Sequence, residues 1–305
     1  MKRKTKIRVG FTLVELLTTL AVIGILLGLL IPALNQVSKT ATKVKQKAQF
    51  HAIGTALETF RNDYGDYPPS AWDADFDGMP DYGYYYPSQR LAEAIIGRDG
   101  LGFHPSSKFL GNGTDGTVTV SGNPLYYPAI AGFTDPAKEA NLAARKGPYL
   151  ELESANAVKP DSLYLPAVIG SYALTDGYVL ADMYKVTKNA KTGKQVGMPI
   201  LYYKANKLKV GNDPASFATN TYNVADNSDG TGFVAAPAPF NGATHPLSAE
   251  ISSGNAPSFY NAIANPNFPG PPARPYRAES FLLHSAGEDG LYGTMDDMFN
   301  FDQDN

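Results

Sequence analysis

The chain has no cysteine and a single tryptophan among its 305 residues. Without cysteine it can form no disulfide bond, no thiol nucleophile and no cysteine-ligated zinc site. The four histidines (His51, His104, His245 and His284) are far apart in sequence and show no metal-binding spacing. The usual serine-hydrolase, phosphate-loop and dinucleotide-binding motifs are also missing. We therefore expect no enzymatic activity.

Positive charge is scarce over most of the chain. The sequence has 26 basic and 29 acidic residues, and five of the basic residues, with no acidic one, lie in 1–10. Removing those five leaves 21 basic against 29 acidic residues, a formal net charge of −8 for 11–305. Binding to nucleic acid requires clustered lysine and arginine. We therefore expect no nucleic-acid partner.

The stretch from Phe11 to Ile31 is almost entirely apolar, and Glu15 is its only charged residue. As a helix, these residues span ~31 Å, which is the thickness of the hydrocarbon core of a bilayer. A basic segment before such a stretch stays in the cytoplasm. The sequence thus predicts a single membrane span with the remainder of the chain on the outer side.

A secretory signal peptide also begins with a basic segment and an apolar stretch, and Pro32-Ala33 resembles the exit of such a peptide. Two features favour a retained span. The apolar stretch is longer than the roughly 7–15 residues usual in a signal peptide. Glu15 gives a signal peptide no advantage, because a carboxylate in the membrane core costs about 2.5–3.5 kcal/mol.

The residues around the start of the apolar stretch carry a resemblance to a known family. Gly10-Phe-Thr-Leu-Val-Glu15-Leu-Leu resembles the class III signal of type IV pilins and type II secretion pseudopilins. The resemblance implies that prepilin peptidase cuts after Gly10 and methylates the new N-terminal Phe11. It divides the chain into a leader (1–10), a membrane and stalk helix (11–64) and a globular head (65–305).

The fold implied by this resemblance is type IV pilin-like and α+β, with a long N-terminal helix packed on a head that contains a short antiparallel sheet. The implied function is that of a structural filament subunit, either in a type II secretion pseudopilus or in a type IV pilus-like fibre. Such a subunit spans the inner membrane once, with its head in the periplasm. Its partners are the membrane, further copies of itself, other pseudopilins or minor pilins and the inner-membrane assembly platform.

A different class of function remains open at this point. A protein anchored by one helix in the membrane, with its head exposed in the periplasm or at the surface, can act as a binding protein, for example for glycans, without forming filaments. A cluster of tyrosines in 82–86 is compatible with sugar binding, but also with covering an edge of the core.

Glu15 has a physical role if the chain is a filament subunit. Cleavage after Gly10 leaves the charged amine of Phe11 in apolar surroundings. A buried charge is strongly unfavourable unless it is paired. We expect Glu15 of one subunit to pair with the Phe11 amine of its neighbour and thereby to favour one axial register.

The helix is predicted to continue well beyond the membrane. From Leu34 to Tyr64, apolar residues recur every three or four positions, which is typical of a helix with one apolar face. Gly65 and Pro68-Pro69 predict its end. Pro32 is expected to kink or loosen it. We expect the first half to pack on other subunits and the second half on its own head.

In the head, helices are predicted over 89–96, 135–145 and 258–264, and strands over 117–120, 177–186, 199–204 and 279–284. Asp182 and residues 197–203 together resemble a D-x-W-G-x-P-x-x-Y stretch of secretion pseudopilins. The lysine-rich insertion Lys185–Gln195 separates them and is expected to form a hairpin tip. Residues 205–257, rich in small and polar residues, are expected to form a long surface excursion.

Near the C-terminus, aspartates alternate with glycines in a way that suits calcium, which binds six to eight oxygen ligands. On chemistry alone, a solvated acidic loop is equally typical. The stretch from Ser285 to Asp297, however, resembles the calcium loop of the major pseudopilin of type II secretion. The ligands implied are the side chains of Asp289, Asp296 and Asp297 and the carbonyls of Ala286 and Thr294.

A second acidic stretch follows the long helix. It contains Asp73, Asp75, Asp77 and Asp81 in the pattern D-x-D-x-D-G, as in the first half of an EF-hand loop. An EF-hand needs a glutamate at position twelve, where this chain has Tyr84, so it is no EF-hand. A short calcium-binding loop and a solvated turn both remain compatible with it.

Overall fold

The computed structural model describes residues 12–70, 85–111, 113–115, 124–126, 134–164, 177–189, 191–227 and 243–302. The chain forms two compact units, Met1–Lys45 and Gln46–Asn305. A long apolar N-terminal helix and a head with small antiparallel sheets give the α+β class that the sequence predicts.

Helix α1, Leu13–Tyr64, is 52 residues long and runs uninterrupted through Pro32, where we predicted a kink or loosening. Its end agrees with the prediction. Gly65 has a φ of +88° and donates its N–H to Arg61 O at 2.7 Å, which closes the last turn. The predicted start at Phe11 lies outside the described residues.

Four further helices belong to the head: α2 Pro87–Ile96, α3 Asp135–Ala144, α4 Pro246–Ser253 and α5 Pro257–Ile263. The predictions for α2, α3 and α5 are confirmed, with small shifts of their ends. The N-cap of α3 is Thr134, one residue before the predicted helix. Helix α4 was not predicted, although Pro246 at its first position and Gly254 after its end are typical helix boundaries.

Two short strand pairs flank the main sheet. Strand β1, Ala157–Val158, pairs with β2, Val179–Leu180, and β3, Thr187–Lys188, pairs with β4, Gln195–Val196. The β3–β4 pair confirms the predicted hairpin. The strand predicted over 177–186 is wrong in length because the Asp182 side chain accepts the Tyr184 N–H at 3.1 Å, and this local turn ends the extended backbone. The strand predicted over 117–120 lies outside the described residues.

The main sheet has three antiparallel strands in the order β5–β6–β7, namely Leu201–Lys204, Phe281–Ser285 and Met298–Phe299. The predictions for 199–204 and 279–284 are confirmed. Because side chains alternate between the faces of a strand, Tyr202 and Leu283 pack in a cluster with α1 and α2. Tyr203 and Leu282 pack on the other face with α5. Helices therefore cover both faces of the sheet.

The expected surface excursion over 205–257 is wrong in part. Tyr222, Val224 and Leu247 lie in this segment and are completely buried in the cluster around Tyr203. The buried residues are a few apolar ones spaced among Asn, Gly, Pro and Ser. The prediction missed them because it rested on the average composition of the segment. Residues 228–242 lie outside the described residues.

The second half of α1 packs on its own head, as expected, and two buried glutamines contribute polar contacts. Gln49 Nε2 donates to Ala155 O at 3.0 Å and to Ala181 O at 2.8 Å. Gln46 Oε1 accepts the Met183 N–H at 2.7 Å. These bonds satisfy backbone groups of the buried loops around β2, which would otherwise be costly to bury.

Candidate functional site: the apolar helix and the C-terminal acidic loop

The first half of α1 presents an apolar surface. Its large apolar side chains between Leu13 and Val44 are 49–78% exposed, and none of the residues in its most apolar stretch is buried. By length and composition α1 is able to cross a membrane. Burying one such side chain stabilises a protein by about 1.5–3 kcal/mol. This surface therefore has a strong tendency to be covered by lipid or by other helices.

Glu15 takes part in a helix cap that we did not predict. Its Oε2 accepts the Thr12 N–H at 2.9 Å and the Thr12 hydroxyl at 2.8 Å, while the Glu15 N–H donates to Thr12 Oγ1 at 3.3 Å. This reciprocal pair is a capping box, and the sequence signal was T-x-x-E before an apolar run. Among the described contacts the carboxylate uses Oε2, and Oε1 remains available to a donor from another chain.

Two predicted sites cannot be placed. Gly10 and Phe11, as well as Asp73, Asp75, Asp77 and Asp81, lie outside the described residues. Tyr85 and Tyr86, at the end of the tyrosine cluster, are described and buried. These two tyrosines are therefore part of the core, as the second interpretation predicted, and are not exposed for sugar binding.

The predicted calcium ligands lie together in the loop between β6 and β7, residues 286–297, which we name the acidic loop. Asp297 occupies its inner side. Its Oδ2 accepts hydrogen bonds from His284 Nε2 and from the Gly293 N–H, each at 2.7 Å. Both His284 and Asp297 are nearly inaccessible to solvent. This contact joins the end of the loop to the middle of the main sheet.

Asp289 and Asp296 form the outer side of the acidic loop. Asp296 accepts the Asp289 N–H at 3.0 Å through Oδ2 and the Thr294 hydroxyl at 2.6 Å through Oδ1. Asp289 in turn accepts the Leu291 N–H at 2.8 Å. Partial burial and the nearby charges of Asp296 and Asp297 raise the pKa of Asp289. Like charges are thus held close together on this loop.

A glycine allows the loop to close. Gly287 has a φ of +67°, and a Cβ at this position would lie 2.3 Å from Asp296 O and 2.6 Å from Asp296 Oδ2. Any other residue would collide with the backbone of the opposite side of the loop. The glycine pattern therefore predicts the fold-back of the loop correctly, whatever the loop binds.

The arrangement fits a cation only in part. The donor set of carboxylates and carbonyls suits calcium, but the carboxylates are engaged by the N–H groups of Asp289, Leu291 and Gly293. Thr294 O accepts the Asp297 N–H at 3.4 Å, and Ala286 is completely buried. In the described parts of the chain, no three His, Asp or Glu side chains are grouped as a metal site requires.

A buried carboxylate holds the base of the acidic loop. Asp182 accepts the Ser285 hydroxyl at 2.8 Å and the Met198 N–H at 3.1 Å. Burial raises the pKa of Asp182 to about 7, although these hydrogen bonds oppose the shift. Gly197 lies against Asp182 so closely that a Cβ would be 2.1 Å from its carbonyl oxygen. The two halves of the stretch that resembles a pseudopilin motif are therefore in contact.

His245 supports the loop from α4. Its Nδ1 accepts the Tyr292 N–H at 3.2 Å, and Tyr292 O accepts the Leu247 N–H at 3.0 Å. His245 is completely buried. His284 lies just before the loop in sequence, whereas nothing in the sequence indicated that His245 lies near it, because it reaches the loop from a separate element.

Comparisons of this chain with protein-family models, with curated proteins and with solved structures find no significant match. The resemblance to pilins therefore rests on the residues quoted above.

The buried imidazole of His245 makes a prediction about acid stability. Burial, with a smaller contribution from His284, lowers the pKa of His245 from 6.5 to about 4. As the pH falls, the unfolded chain binds this proton before the folded chain does. The contribution of His245 to folding stability is therefore fully present above pH 6.5 and is lost as the pH falls toward 4. The loss amounts to about 3 kcal/mol for this group.

His245→Asn keeps an acceptor for the Tyr292 N–H but has no group that titrates in this range. Between pH 7 and pH 4, we expect the free energy of unfolding to fall by about 3 kcal/mol less in this variant than in the wild type. At pH 7 the two proteins should differ little. Urea denaturation of the full-length protein in detergent, followed by circular dichroism, measures both quantities. Parallel pH profiles for the two proteins would refute the assignment.

Proposed function

We propose that this chain is a pilin-like filament subunit, of a type II secretion pseudopilus or a type IV pilus-like fibre, and that it has no enzymatic activity. The observation that carries the proposal is helix α1. Its first half exposes an apolar surface with a carboxylate near its start, and its second half is part of the core of the head. One continuous helix thus offers a packing surface for other chains and a firm attachment for the head.

In this proposal the chain is first inserted in the inner membrane with 1–10 in the cytoplasm and the head in the periplasm. Prepilin peptidase removes Met1–Gly10 and methylates Phe11. The inner-membrane platform then transfers the subunit to the growing fibre, together with other pseudopilins or minor pilins. The apolar surface of α1 exchanges lipid for the same surface of neighbouring subunits, so little apolar area is exposed to water at any step.

Glu15 directs this packing through charge. The Phe11 amine and the Glu15 carboxylate are both unfavourable in apolar surroundings, and each is stabilised by an oppositely charged neighbour. The capping box uses Oε2 of Glu15. Oε1 is then the acceptor for the Phe11 amine of the adjacent subunit.

Two substitutions separate this pairing from the cap. Glu15→Leu removes both, whereas Glu15→Gln keeps the capping box, in which glutamine replaces glutamate well, but removes the charge. We expect both variants to be cleaved after Gly10 and to remain in the membrane. We expect both to lose filaments, because the Phe11 amine has no counter-charge. Electron microscopy of sheared or overassembled material measures this outcome.

Glu15→Asp, which retains a charge, is the matched control and should retain part of the assembly. Normal filaments from Glu15→Gln would show that the cap, and not the charge, is needed, and would refute the pairing. Wild-type protein that is cleaved and stays in the membrane without any filament would instead support a helix-anchored binding protein.

We further propose that the acidic loop binds calcium through Asp289, Asp296 and Asp297, with carbonyl oxygens of Ala286 and Thr294. The support is the crowding of carboxylates. Burial, and after it the nearby charges of Asp296 and Asp297, raise the pKa of Asp289, and a divalent cation relieves this repulsion. The bound ion would replace the N–H groups of Asp289 and Gly293 at these carboxylates. Its role would be to fix the loop where neighbouring subunits dock.

Calcium removal should lower the melting temperature of the full-length protein in detergent. A cation at a hundred times its dissociation constant stabilises by about 2.7 kcal/mol, so a head of this size should shift by about 5–10 °C. We expect EGTA to cause this shift and added calcium to reverse it. The double variant Asp289→Asn, Asp296→Asn should melt at one temperature in both buffers. A wild-type melting temperature indifferent to EGTA would exclude the site.

A further inference from the structure

The two ends of strand β6 carry opposite charges. Before its first residue, Phe281, lies a cavity of about 430 Å³, which we name the basic cleft. It is formed by the last turns of α1, the segment after β5 and the segment before β6. Its charged lining residues are Arg61, Lys207, Lys209, Arg274 and Arg277, with Glu58 and Glu279. After the last residue of β6, Ser285, begins the acidic loop.

Some cations of the basic cleft are paired with neighbouring groups, whereas Lys207 and Lys209 only interact at longer range with Asp66 and Asp226. Arg61 lies 3.6 Å from Glu58 and Arg274 lies 3.0 Å from Glu279. Arg277 has an unusual φ of +53° and donates Nε to Phe281 O at 3.2 Å, which fixes the direction of its guanidinium. Lys207 and Lys209 form no ion pair within the described ranges. The cleft therefore retains a net positive charge on a protein whose overall charge is −3.

An apolar residue, Leu208, separates the two lysines of the cleft in sequence and lines the neighbouring cavity beside Asp66 and Lys204. Leu208 is 95% exposed, and Val210, on the far side of Lys209, is also exposed. The acidic loop has the matching composition. Met295 is fully exposed next to Asp296, and Glu288 and Asp289 are exposed on the opposite side of the loop. Each surface combines one sign of charge with an apolar side chain that has no cover in the described structure.

The acidic loop contains four carboxylates and no basic residue. Glu288 is not among the proposed calcium ligands, and the loop stays negatively charged with one divalent ion bound. Charge complementarity of this kind favours the correct pairing of two surfaces and disfavours contacts between like ends.

The two surfaces are also placed so that one chain cannot bring them together. Strand β6 alone separates them by ~17 Å. The two surfaces also lie at different levels of α1. The acidic loop starts beside Asp182, and the next residue, Met183, donates its N–H to Gln46 of α1. The basic cleft includes Arg61, which is about four helical turns further along α1. A contact between different patches on successive copies is heterologous, and it builds an open chain when the rotation between copies does not close into a ring.

We propose that the acidic loop of one copy docks in the basic cleft of the next copy, with Met295 packed against Leu208 and the carboxylates opposite Lys207, Lys209 and Arg277. The partner of both surfaces is a second copy of this chain. The proposal rests on the proposed function, since it gives the filament a second contact in addition to the helix packing.

The absence of cysteine from the natural chain makes this contact directly measurable. Full-length Leu208→Cys and Met295→Cys variants are produced separately and together in the same cells and treated with a short bismaleimide. We expect a cross-linked dimer when the two variants are mixed, and a ladder of higher multimers when one chain carries both substitutions. Each single variant alone should give at most traces. Lys194→Cys, at the exposed β3–β4 hairpin, replaces Leu208→Cys in the control mixture and should give no dimer.

Charge reversal tests whether complementarity drives the contact. In the mixed Leu208→Cys and Met295→Cys pair, we expect Lys207→Glu on the cleft side to lower the dimer yield about tenfold, because acidic groups then face each other. Glu288→Lys on the loop side should lower it similarly. The combination of Lys207→Glu with Glu288→Lys should restore most of the yield. Lys194→Glu is the matched control and should leave it unchanged.

Imaging of wild-type filaments distinguishes failure of the docking proposal from failure of the proposed function. Filaments without the Leu208–Met295 cross-link, or a cross-link that is insensitive to both charge reversals, would overturn the docking proposal and leave the proposed function intact. If the wild type forms no filament and the mixed Leu208→Cys and Met295→Cys variants form no cross-link, the proposed function fails and the docking proposal fails with it.

Discussion

The constraint on which the structure depends is the apolar surface of α1 that its own chain does not cover. From Leu13 to Val44, each large apolar side chain is about half exposed or more. Since a protein is stabilised by only about 5–15 kcal/mol in total, water contact over such a surface is not sustainable. In the proposed filament, lipid covers it before assembly, and other helices cover it afterwards. The cap formed by Thr12 and Glu15 shows that the helix start is satisfied locally, with one carboxylate oxygen left for a neighbour.

The head packs around the second half of the same helix. Ile53 and Leu57 pack on the main sheet, while Gln46 and Gln49 bond the loops around β2. Because these contacts are buried, the head is fixed to the helix residues that carry it. In the proposed docking, the loops at both ends of β6 are the surfaces that successive heads present to each other. Their opposite charges are the feature that distinguishes one end from the other.

Several parts of this description could be predicted from sequence because their causes are local. The end of α1 at Gly65, the β3–β4 hairpin and the closing of the loop at Gly287 depend on a few neighbouring residues. Other parts depend on distant partners. Neither the burial of Leu247 nor the contact of His284 with Asp297 leaves a periodic or spacing signal. For the same reason the sequence indicated which aspartates lie on one loop, but not that backbone N–H groups would engage them.

The central claim, that a charged terminus made by processing meets the carboxylate at the start of the apolar helix, is tested most directly by the mass of the mature protein. Purified full-length protein from cells with an active prepilin peptidase should begin at Phe11 and carry one added methyl group on its N-terminal amine. Protein that retains Met1–Gly10, or that begins near Leu34 after ordinary secretion, would contradict the account.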